Sequence, residues 1–186
     1  QGGLKNMDGK NKFIKLQKIR NGGNVKRYHT LPIIREQSNA AHSWGVAVLL
    51  DQLWGLDWGE NSVALAKMLK ASLYHDCAEY LTGALPAPIK KSSEAVAEVI
   101  KELEDNFNKD LDILIRLEDY DEVKVKFCDC LEGALFCLEE LEMGNKMVAD
   151  VFSKYMEYLR EQVNEHNQLK QVEWIIDEIT KEATKL

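Results

Sequence analysis

Long apolar runs and an excess of positive charge are both missing from this sequence. No apolar run reaches the roughly 18 residues that a membrane-spanning helix requires, so we expect no membrane association. The first residues lack the charged-then-apolar pattern of a signal peptide, which predicts a cytoplasmic protein. The 24 Lys and Arg residues are outnumbered by 31 Asp and Glu, giving a net charge of -7. This balance argues against binding to a nucleic-acid polymer, which requires a basic face.

Cysteine and proline are also scarce. The four cysteines lack the paired spacing of a zinc ribbon, and we interpret them as reduced, semi-buried thiols: Cys77, Cys128, Cys130 and Cys137. A chain of 186 residues buries an adequate core without disulfides. We therefore predict one domain over residues 7–186 and interpret residues 1–6 as the remnant of a tag.

The apolar pattern is helical nearly throughout, and this predicts an all-α helical bundle. Gly22 and Gly23 end a short first helix, and Ser38 and Asn61 are candidate N-caps. In the helix after Ser38 we expect the apolar side chains to face inward: Ala41, Trp44, Val48 and Leu49. The expected helices cover residues 39–54, 62–81, 92–109, 121–142 and one or two segments within 145–183, with a proline-stiffened loop over 82–89.

Four potential metal ligands come from three separate predicted helices: His42, His75, Asp76 and Asp129. Asp76 and Asp129 lie among apolar residues, where a carboxylate is costly to bury unless it is paired or bound to metal. Two nitrogen and two oxygen ligands suit one divalent transition metal (Co, Mn, Zn, Fe or Ni, with Mg also possible) better than Ca²⁺. Buried Asp-Lys or Asp-Arg ion pairs are the structural alternative.

Glu79 follows His75 by four residues, so on a continuous helix the two share a face. A carboxylate at that place orients a water molecule or donates a proton to a leaving oxygen, unless it is simply a solvated surface group. Arg27, Lys90 and Lys126 each lie near a segment with a candidate ligand and are candidate anion-binding groups. Taken one at a time, each of these cations is equally explained as an ordinary solvated side chain.

Two further residues have the shape to contact a base or sugar. Tyr28 offers an aromatic face beside Arg27, and Pro88 could cover the other side of a ring. Core packing is the alternative for the tyrosine.

These residues resemble the HD-domain phosphohydrolases, and within them the bacterial and phage 5′-deoxynucleotidase-like branch. The resemblance covers about residues 13–145 and combines ligand order, ligand spacing and the Thr-Gly-Pro loop. The matching stretches are GNVKRYHT at 23–30, AAHSWGVA at 40–47, YHDCAEYLTG at 74–83, LPAPIK at 85–90 and KFCD at 126–129.

The resemblance implies a metal bound by the four residues named above, Arg27 on the 5′-phosphate and Glu79 as the acid-base residue. It also assigns the loop residues Thr82, Pro88 and Lys90, with Lys126, to the substrate site. Two positions depart from the family pattern. Tyr28 stands where tryptophan is common, which implies looser selectivity for 2′-deoxyribose, and Ala84 stands where relatives carry an aspartate close to the nucleotide.

The implied reaction is hydrolysis of a deoxynucleoside monophosphate to deoxynucleoside and phosphate. The alternative within the same branch is a deoxynucleoside triphosphate (dATP-type) triphosphohydrolase that releases tripolyphosphate, and a further alternative is a non-catalytic nucleotide-binding module. The resemblance also implies a homo-oligomer, dimer or hexamer, and host cytoplasm as the location if the gene belongs to a phage. Three tryptophans are candidates for an interface or for the core: Trp54, Trp58 and Trp174.

Overall fold

The computed structural model describes residues 2–55, 62–90 and 92–186. The described residues form α-helices and two 3₁₀ segments and contain no β-strand; an isolated antiparallel bridge joins Lys26 to Ser38. The all-α prediction is therefore confirmed. The predicted Asn61 cap and Trp58 lie outside the described residues. The helices are α1 (Gly2–Gly22), α2 (Asn39–Trp54), α3 (Ser62–Tyr74), α4 (Glu79–Thr82), α5 (Ala87–Lys90), α6 (Glu94–Asp110), α7 (Asp119–Glu142), α8 (Ala149–Glu165) and α9 (Glu173–Ala183), and the 3₁₀ segments are Lys146–Val148 and Asn167–Val172.

Helix α7 is the centre of the bundle and packs against α2, α3, α8 and α9. Its buried residues Phe127, Leu131 and Ala134 join Val46 and Leu50 of α2 in the main apolar core. Acidic residues in the first turn of α7 stabilise the helix, because negative charge at an N-terminus interacts favourably with the helix dipole. Because α7 packs against four other helices, the backbone that carries Asp129 is held at the centre of the bundle.

The ends of several helices follow the sequence signals. The Ser38 side chain accepts a hydrogen bond from the backbone N–H of Ala41, which confirms its prediction as an N-cap. Gly144 adopts a left-handed φ of 88° just after α7 ends, as a glycine at this position readily does.

The predicted helix over 62–81 is interrupted, and the prediction was wrong over residues 75–78. Helix α3 ends at Tyr74, and residues 75–78 form a turn before α4 begins at Glu79. The end of α1 packs closely against this turn, since a Cβ on Gly22 would lie only 2.8 Å from the Cys77 carbonyl oxygen. His75 and Asp76 therefore extend from a turn and are free of the 100° divergence that an ideal helix imposes on neighbours.

The predicted inner face of α2 was also wrong. Trp44 is 67% exposed and Val48 39% exposed, whereas the helix buries His42, Val46 and Leu50. The buried face is polar in the first turns of the helix, at Asn39, His42 and Ser43, and apolar farther along, and apolar periodicity does not anticipate the polar part. Trp54 is 4% exposed and belongs to the core, whereas Trp174 is 57% exposed.

The four cysteines are free and buried, as expected for reduced thiols. Among the described residues, no helix combines the length and the apolar character needed to cross a bilayer.

Candidate active site

Three predicted ligands converge at one point between α2 and the turn that follows α3. The Nε2 atoms of His42 and His75 are 3.2 Å apart. Asp76 Oδ2 lies 3.3 Å from His75 Nε2 and 3.8 Å from His42 Nε2. One donor atom from each of these residues lies within 4.8 Å of the other two, which is close enough for all three to bind one ion.

Asp129 approaches the same point from α7. Its Oδ1 atom is 3.0 Å from His42 Nε2 and 3.8 Å from His75 Nε2. Its other oxygen, Oδ2, accepts a hydrogen bond of 2.5 Å from Lys126 Nζ. Burial opposes the charged form of Asp129, but Lys126 and the two histidines hold the pKa of this carboxyl well below its usual range.

The hydrogen bonds of both histidines leave their Nε2 atoms directed at one another. His75 Nδ1 lies 2.8 Å from the Ser72 carbonyl oxygen, which only accepts, so Nδ1 must carry the proton. His42 Nδ1 donates to the Glu132 carboxylate in the same way. When each imidazole is neutral, both Nε2 atoms are bare acceptors. A carboxylate of this kind behind a histidine is the usual arrangement at metal sites.

The electrostatics of this cluster favour a cation. Burial lowers the pKa of His75, but Asp76 and Asp129 more than offset it and raise that pKa to about 9. The neighbouring acceptors therefore stabilise positive charge at this point. Two imidazole nitrogens and two carboxylates form a donor set that fits a divalent transition metal.

The alternative of Asp-Arg and Asp-Lys ion pairs is present as well, and the two interpretations are compatible. Arg27 Nη1 donates to Asp76 Oδ2 at 2.5 Å, and the pair is mostly buried. The Nε atom of Arg27 is buried without a hydrogen-bond partner among the described residues. Since buried donors are seldom left unpaired, this guanidinium has capacity left for an anion.

Glu79 is nearly fully buried at the first turn of α4 and belongs to a separate polar cluster. Its Oε2 atom accepts a 2.9 Å hydrogen bond from Asn39 Nδ2, and its Oε1 atom lies 3.7 Å from Lys90 Nζ. Burial and the nearby Asp76 charge raise the pKa of Glu79. Lys90 is shared with Glu104, at 3.3 Å. A raised pKa favours the protonated carboxyl, which is the form that donates a proton to a leaving oxygen.

A cavity of about 970 Å³ opens beside the cluster. Its lining includes His75, Asp76 and Asp129, and it also includes Lys90 and Lys126. A site of this volume is within the range that holds small organic ligands.

Two other residues predicted to bind substrate, Tyr28 and Thr82, are not among the residues that line this cavity. The Tyr28 ring stacks on Phe136 with centroids 4.9 Å apart, and its hydroxyl lies 3.3 Å from that of Tyr155, so one ring face is already covered. Thr82 is exposed and donates to the Gly83 carbonyl. The Pro88 side chain lies outside the described part of the structure.

Sequence reasoning missed three residues that support the site. Glu132 follows Asp129 by one helical turn, and that spacing was the available signal. Asn39 was visible only as a neighbour of the Ser38 cap. Tyr155 gave no signal, because it reaches Tyr28 across 127 residues of chain.

The fold and the site together define an HD-domain phosphohydrolase. The structure superposes on an HD phosphohydrolase of cyanophage S-2L, DatZ, determined with dA and one catalytic Zn²⁺. The TM-score is 0.73 with 21% identity, and the match covers 91% of this chain and 96% of that one. An HD-domain phosphohydrolase from Listeria innocua superposes with a TM-score of 0.66 at 17% identity, over 91% of this chain and 96% of that one.

The sequence comparisons identify the branch. The profile of the family described as 5′-deoxynucleotidase YfbR-like matches residues 13–183, so the chain belongs to that family. A dATP triphosphohydrolase of Salmonella phage PMBT28 is 30% identical over 152 residues, 74% of this chain and 74% of the relative. The 5′-deoxynucleotidase YfbR of Escherichia coli O1:K1 is 32% identical over 139 residues, 65% of this chain and 69% of the relative. The resemblance seen over 13–145 is confirmed and extends through the C-terminal helices.

Proposed function

We propose that the protein hydrolyses the 5′-phosphate ester of 2′-deoxynucleoside monophosphates, releasing deoxynucleoside and phosphate. The observation that carries the proposal is the convergence of His42, His75, Asp76 and Asp129 at the wall of a cavity that also contains basic side chains. Membership of the YfbR-like family, and a relative named 5′-deoxynucleotidase, support the same reaction.

In this proposal, one divalent transition metal is held by His42, His75, Asp76 and Asp129. The candidates are Co, Mn, Zn, Fe and Ni, with Mg also possible; the neighbouring structure with Zn²⁺ supports this class of ion. When bound, such a metal supplies Lewis-acid chemistry and lowers the pKa of water.

The protein side chains carry the rest of the mechanism. Arg27 binds non-bridging phosphate oxygens, and Lys126 and Lys90 add positive charge on the cavity wall. Preorganised charge of this kind lowers the barrier to phosphoryl transfer. A water molecule attacks the phosphorus atom, and Glu79 donates its proton to the 5′ oxygen as the bond from that oxygen to phosphorus breaks, so that deoxynucleoside and phosphate are released. The resemblance also assigns Tyr28, Thr82 and Pro88 to the nucleoside, although Tyr28 and Thr82 are not among the residues that line the described cavity.

The test is phosphate release from a panel of deoxynucleoside mono- and triphosphates with Mn²⁺ or Co²⁺. Free phosphate from the monophosphates is the expected result. Tripolyphosphate from the triphosphates, with no reaction of the monophosphates, would replace the proposal with the second candidate below. Nucleotide binding without any product would indicate a non-catalytic binding module.

The second candidate is a triphosphohydrolase, and a specific feature of the cavity favours it. Lys101 on α6 and Arg116, in the segment before α7, line the cavity and make no hydrogen bond or ion pair with any described residue. Both candidate reactions break the same bond, between the 5′ oxygen and the α-phosphorus. The residues near the metal site therefore serve either substrate. Only groups farther from that site can discriminate between a monophosphate and a triphosphate. The relative named dATP triphosphohydrolase supports this candidate.

Removing these two cations separates the candidates. If the β- and γ-phosphates bind there, Lys101→Ala with Arg116→Ala should raise KM for a triphosphate about tenfold and leave KM for a monophosphate within about twofold. Lys109→Ala is the matched control, since Lys109 is also exposed on α6 but is not part of the cavity lining. Equal effects on both substrates would contradict a role for Lys101 and Arg116 in binding the β- and γ-phosphates.

Three further assignments are proposals. We propose one domain over residues 7–186 and a cytoplasmic location, and the resemblance implies assembly as a dimer or hexamer. The exposed Trp44 and Trp174 are available for such an assembly.

A further inference from the structure

Residues 24–38, which we term the strap, join α1 to α2 and carry Arg27 and Tyr28. The strap contains no helix. Backbone hydrogen bonds tie its two ends together, from Arg27 N to the Gln37 carbonyl at 2.9 Å and from Asn39 N to the Val25 carbonyl at 2.9 Å. These bonds leave the middle of the strap, residues 32–35, to be held by the rest of the protein.

Glu140, near the end of α7, holds that middle section. It is completely buried. Its Oε2 accepts a 2.7 Å hydrogen bond from the backbone N–H of Ile34, and its Oε1 accepts a 2.8 Å bond from that of Arg35. Asn145 Nδ2 donates to Glu140 Oε2 at 2.6 Å and to the Pro32 carbonyl at 2.9 Å. One buried carboxylate and one amide therefore hold three of the four residues from Pro32 to Arg35.

A buried carboxylate is expensive unless its oxygens are satisfied. Burial opposes the charged form of Glu140, but the bonds from Ile34, Asn145 and Arg35 hold its pKa below the usual range. Hydrogen bonds from backbone N–H groups to an ionised acceptor are stronger than those between neutral groups. The charge of Glu140 is therefore what fastens the strap, and a neutral amide in its place would turn a donor toward one of the two N–H groups.

The C-terminal part of α7 also contacts Tyr28, the residue that follows Arg27. Phe136, one turn before Glu140, stacks on Tyr28 at 4.9 Å and receives the Arg35 guanidinium at 5.3 Å from its ring centroid. Tyr28 has a left-handed φ of 54°. A tyrosine keeps such a backbone conformation only where its surroundings impose it. The backbone next to Arg27 is thus constrained by the segment of α7 that Glu140 and Phe136 occupy.

We propose that Glu140 is a positioning residue for Arg27. It fixes the strap on α7, the helix that also carries Asp129, and so sets the distance between the guanidinium and the metal-ligand cluster. The inference rests on the proposed function, in which Arg27 binds the substrate phosphate. Glu140 itself is remote from the reacting atoms and acts through the strap.

Glu140→Gln provides the main test. Since small misplacements of a binding group are costly, we expect kcat/KM for the preferred nucleotide to fall about 10- to 100-fold, mostly through KM. Metal content should stay at the wild-type level. Glu139→Gln is the matched control, because Glu139 contacts the strap only through an exposed ion pair with Arg35, and exposed pairs contribute little. We expect that variant to stay within about twofold of wild type.

A double-mutant cycle distinguishes positioning from general destabilisation. In an Arg27→Ala background, Glu140→Gln should have less than about a threefold further effect, because the group that it positions is already gone. An equal loss with and without Arg27 would overturn the proposal, and so would an unchanged kcat/KM in the single variant. If Glu140→Gln does not fold, Asn145→Ala enters the same cycle, since it removes only the bonds to Pro32 and Glu140 and the Met147 N–H contact.

The strap itself offers a readout that is independent of activity. Hydrogen exchange at the amides of Ile34 and Arg35 should accelerate in Glu140→Gln and stay unchanged in Glu139→Gln. If the wild-type protein hydrolyses no nucleotide, the proposed function fails, and dAMP affinity measured by calorimetry replaces KM in the cycle. Unaltered exchange at both amides would refute the anchoring by Glu140, whatever the activity of the enzyme.

Discussion

Asp129→Ala is expected to abolish both metal binding and hydrolysis. One carboxylate oxygen of Asp129 lies 3.0 Å from His42 Nε2, and the other accepts a hydrogen bond from Lys126. Its removal leaves two histidines and Asp76, with the Lys126 ammonium no longer neutralised. A Lewis-acid metal supplies several kcal/mol of transition-state stabilisation, so its loss should lower kcat by about 10³-fold or more. Metal content by mass spectrometry and turnover measured on the same sample check this, and Asp76→Ala should behave likewise.

Two companion variants make the result interpretable. Glu132→Gln replaces the carboxylate that accepts from His42 Nδ1 and from Gln37 Nε2. Metal affinity should therefore weaken about 10- to 100-fold without being lost. Asp121 lies in the first turn of the same helix and is not part of the cavity lining, so Asp121→Asn should leave both metal content and turnover unchanged. Stoichiometric metal and near-normal turnover in Asp129→Ala would mean that the ligand assignment is wrong.

Glu79→Gln should lower kcat about 10²-fold or more while the protein keeps its metal. Glutamine retains the size of the side chain and an oxygen that accepts from Asn39, but it has no proton to donate to the leaving 5′ oxygen. The raised pKa of Glu79 is consistent with the proton-donor role. Steady-state kinetics together with metal analysis separate this loss from a loss of the ion.

Glu104→Gln is the matched control, because Glu104 is the other carboxylate on Lys90. We expect its kcat to remain within about threefold of wild type. If Glu104→Gln and Glu79→Gln were equally impaired, the effect would come from disturbing Lys90, and Glu79 would have no acid-base role.

The local patterns of the sequence were sufficient for the helical class and for the family. Ser38 was predicted as a cap because its signal is short-range, and α2 begins where that signal places it. The order of His42, His75-Asp76 and Asp129 was recognisable because each lies in a short motif. The helix boundaries around residues 75–78 were not predicted from the sequence; Gly22 of α1 packs closely against this turn, and no local pattern shows that contact.

Periodicity failed where the buried face is polar. Apolar patterning predicted Trp44 on the inside of α2, but the helix buries His42 and Ser43 instead, on the same side as Val46 and Leu50. A hydrophobic pattern identifies a buried face only when burial is driven by apolar side chains. At a functional site, the face that the hydrophobic pattern indicates and the face that is buried can differ, because polar side chains are buried for their function.

By itself, the sequence determined that the chain is an all-α member of an HD phosphohydrolase family, and it supplied the candidate ligands. The tertiary structure alone decided which groups support them: Glu132 behind His42, Tyr155 on Tyr28, and Glu140 under the strap. Each of these contacts joins residues about 90 to 127 positions apart. Contacts over such separations are created by the packing of α7 and α8 against the strap and α2, and no local pattern of residues encodes them.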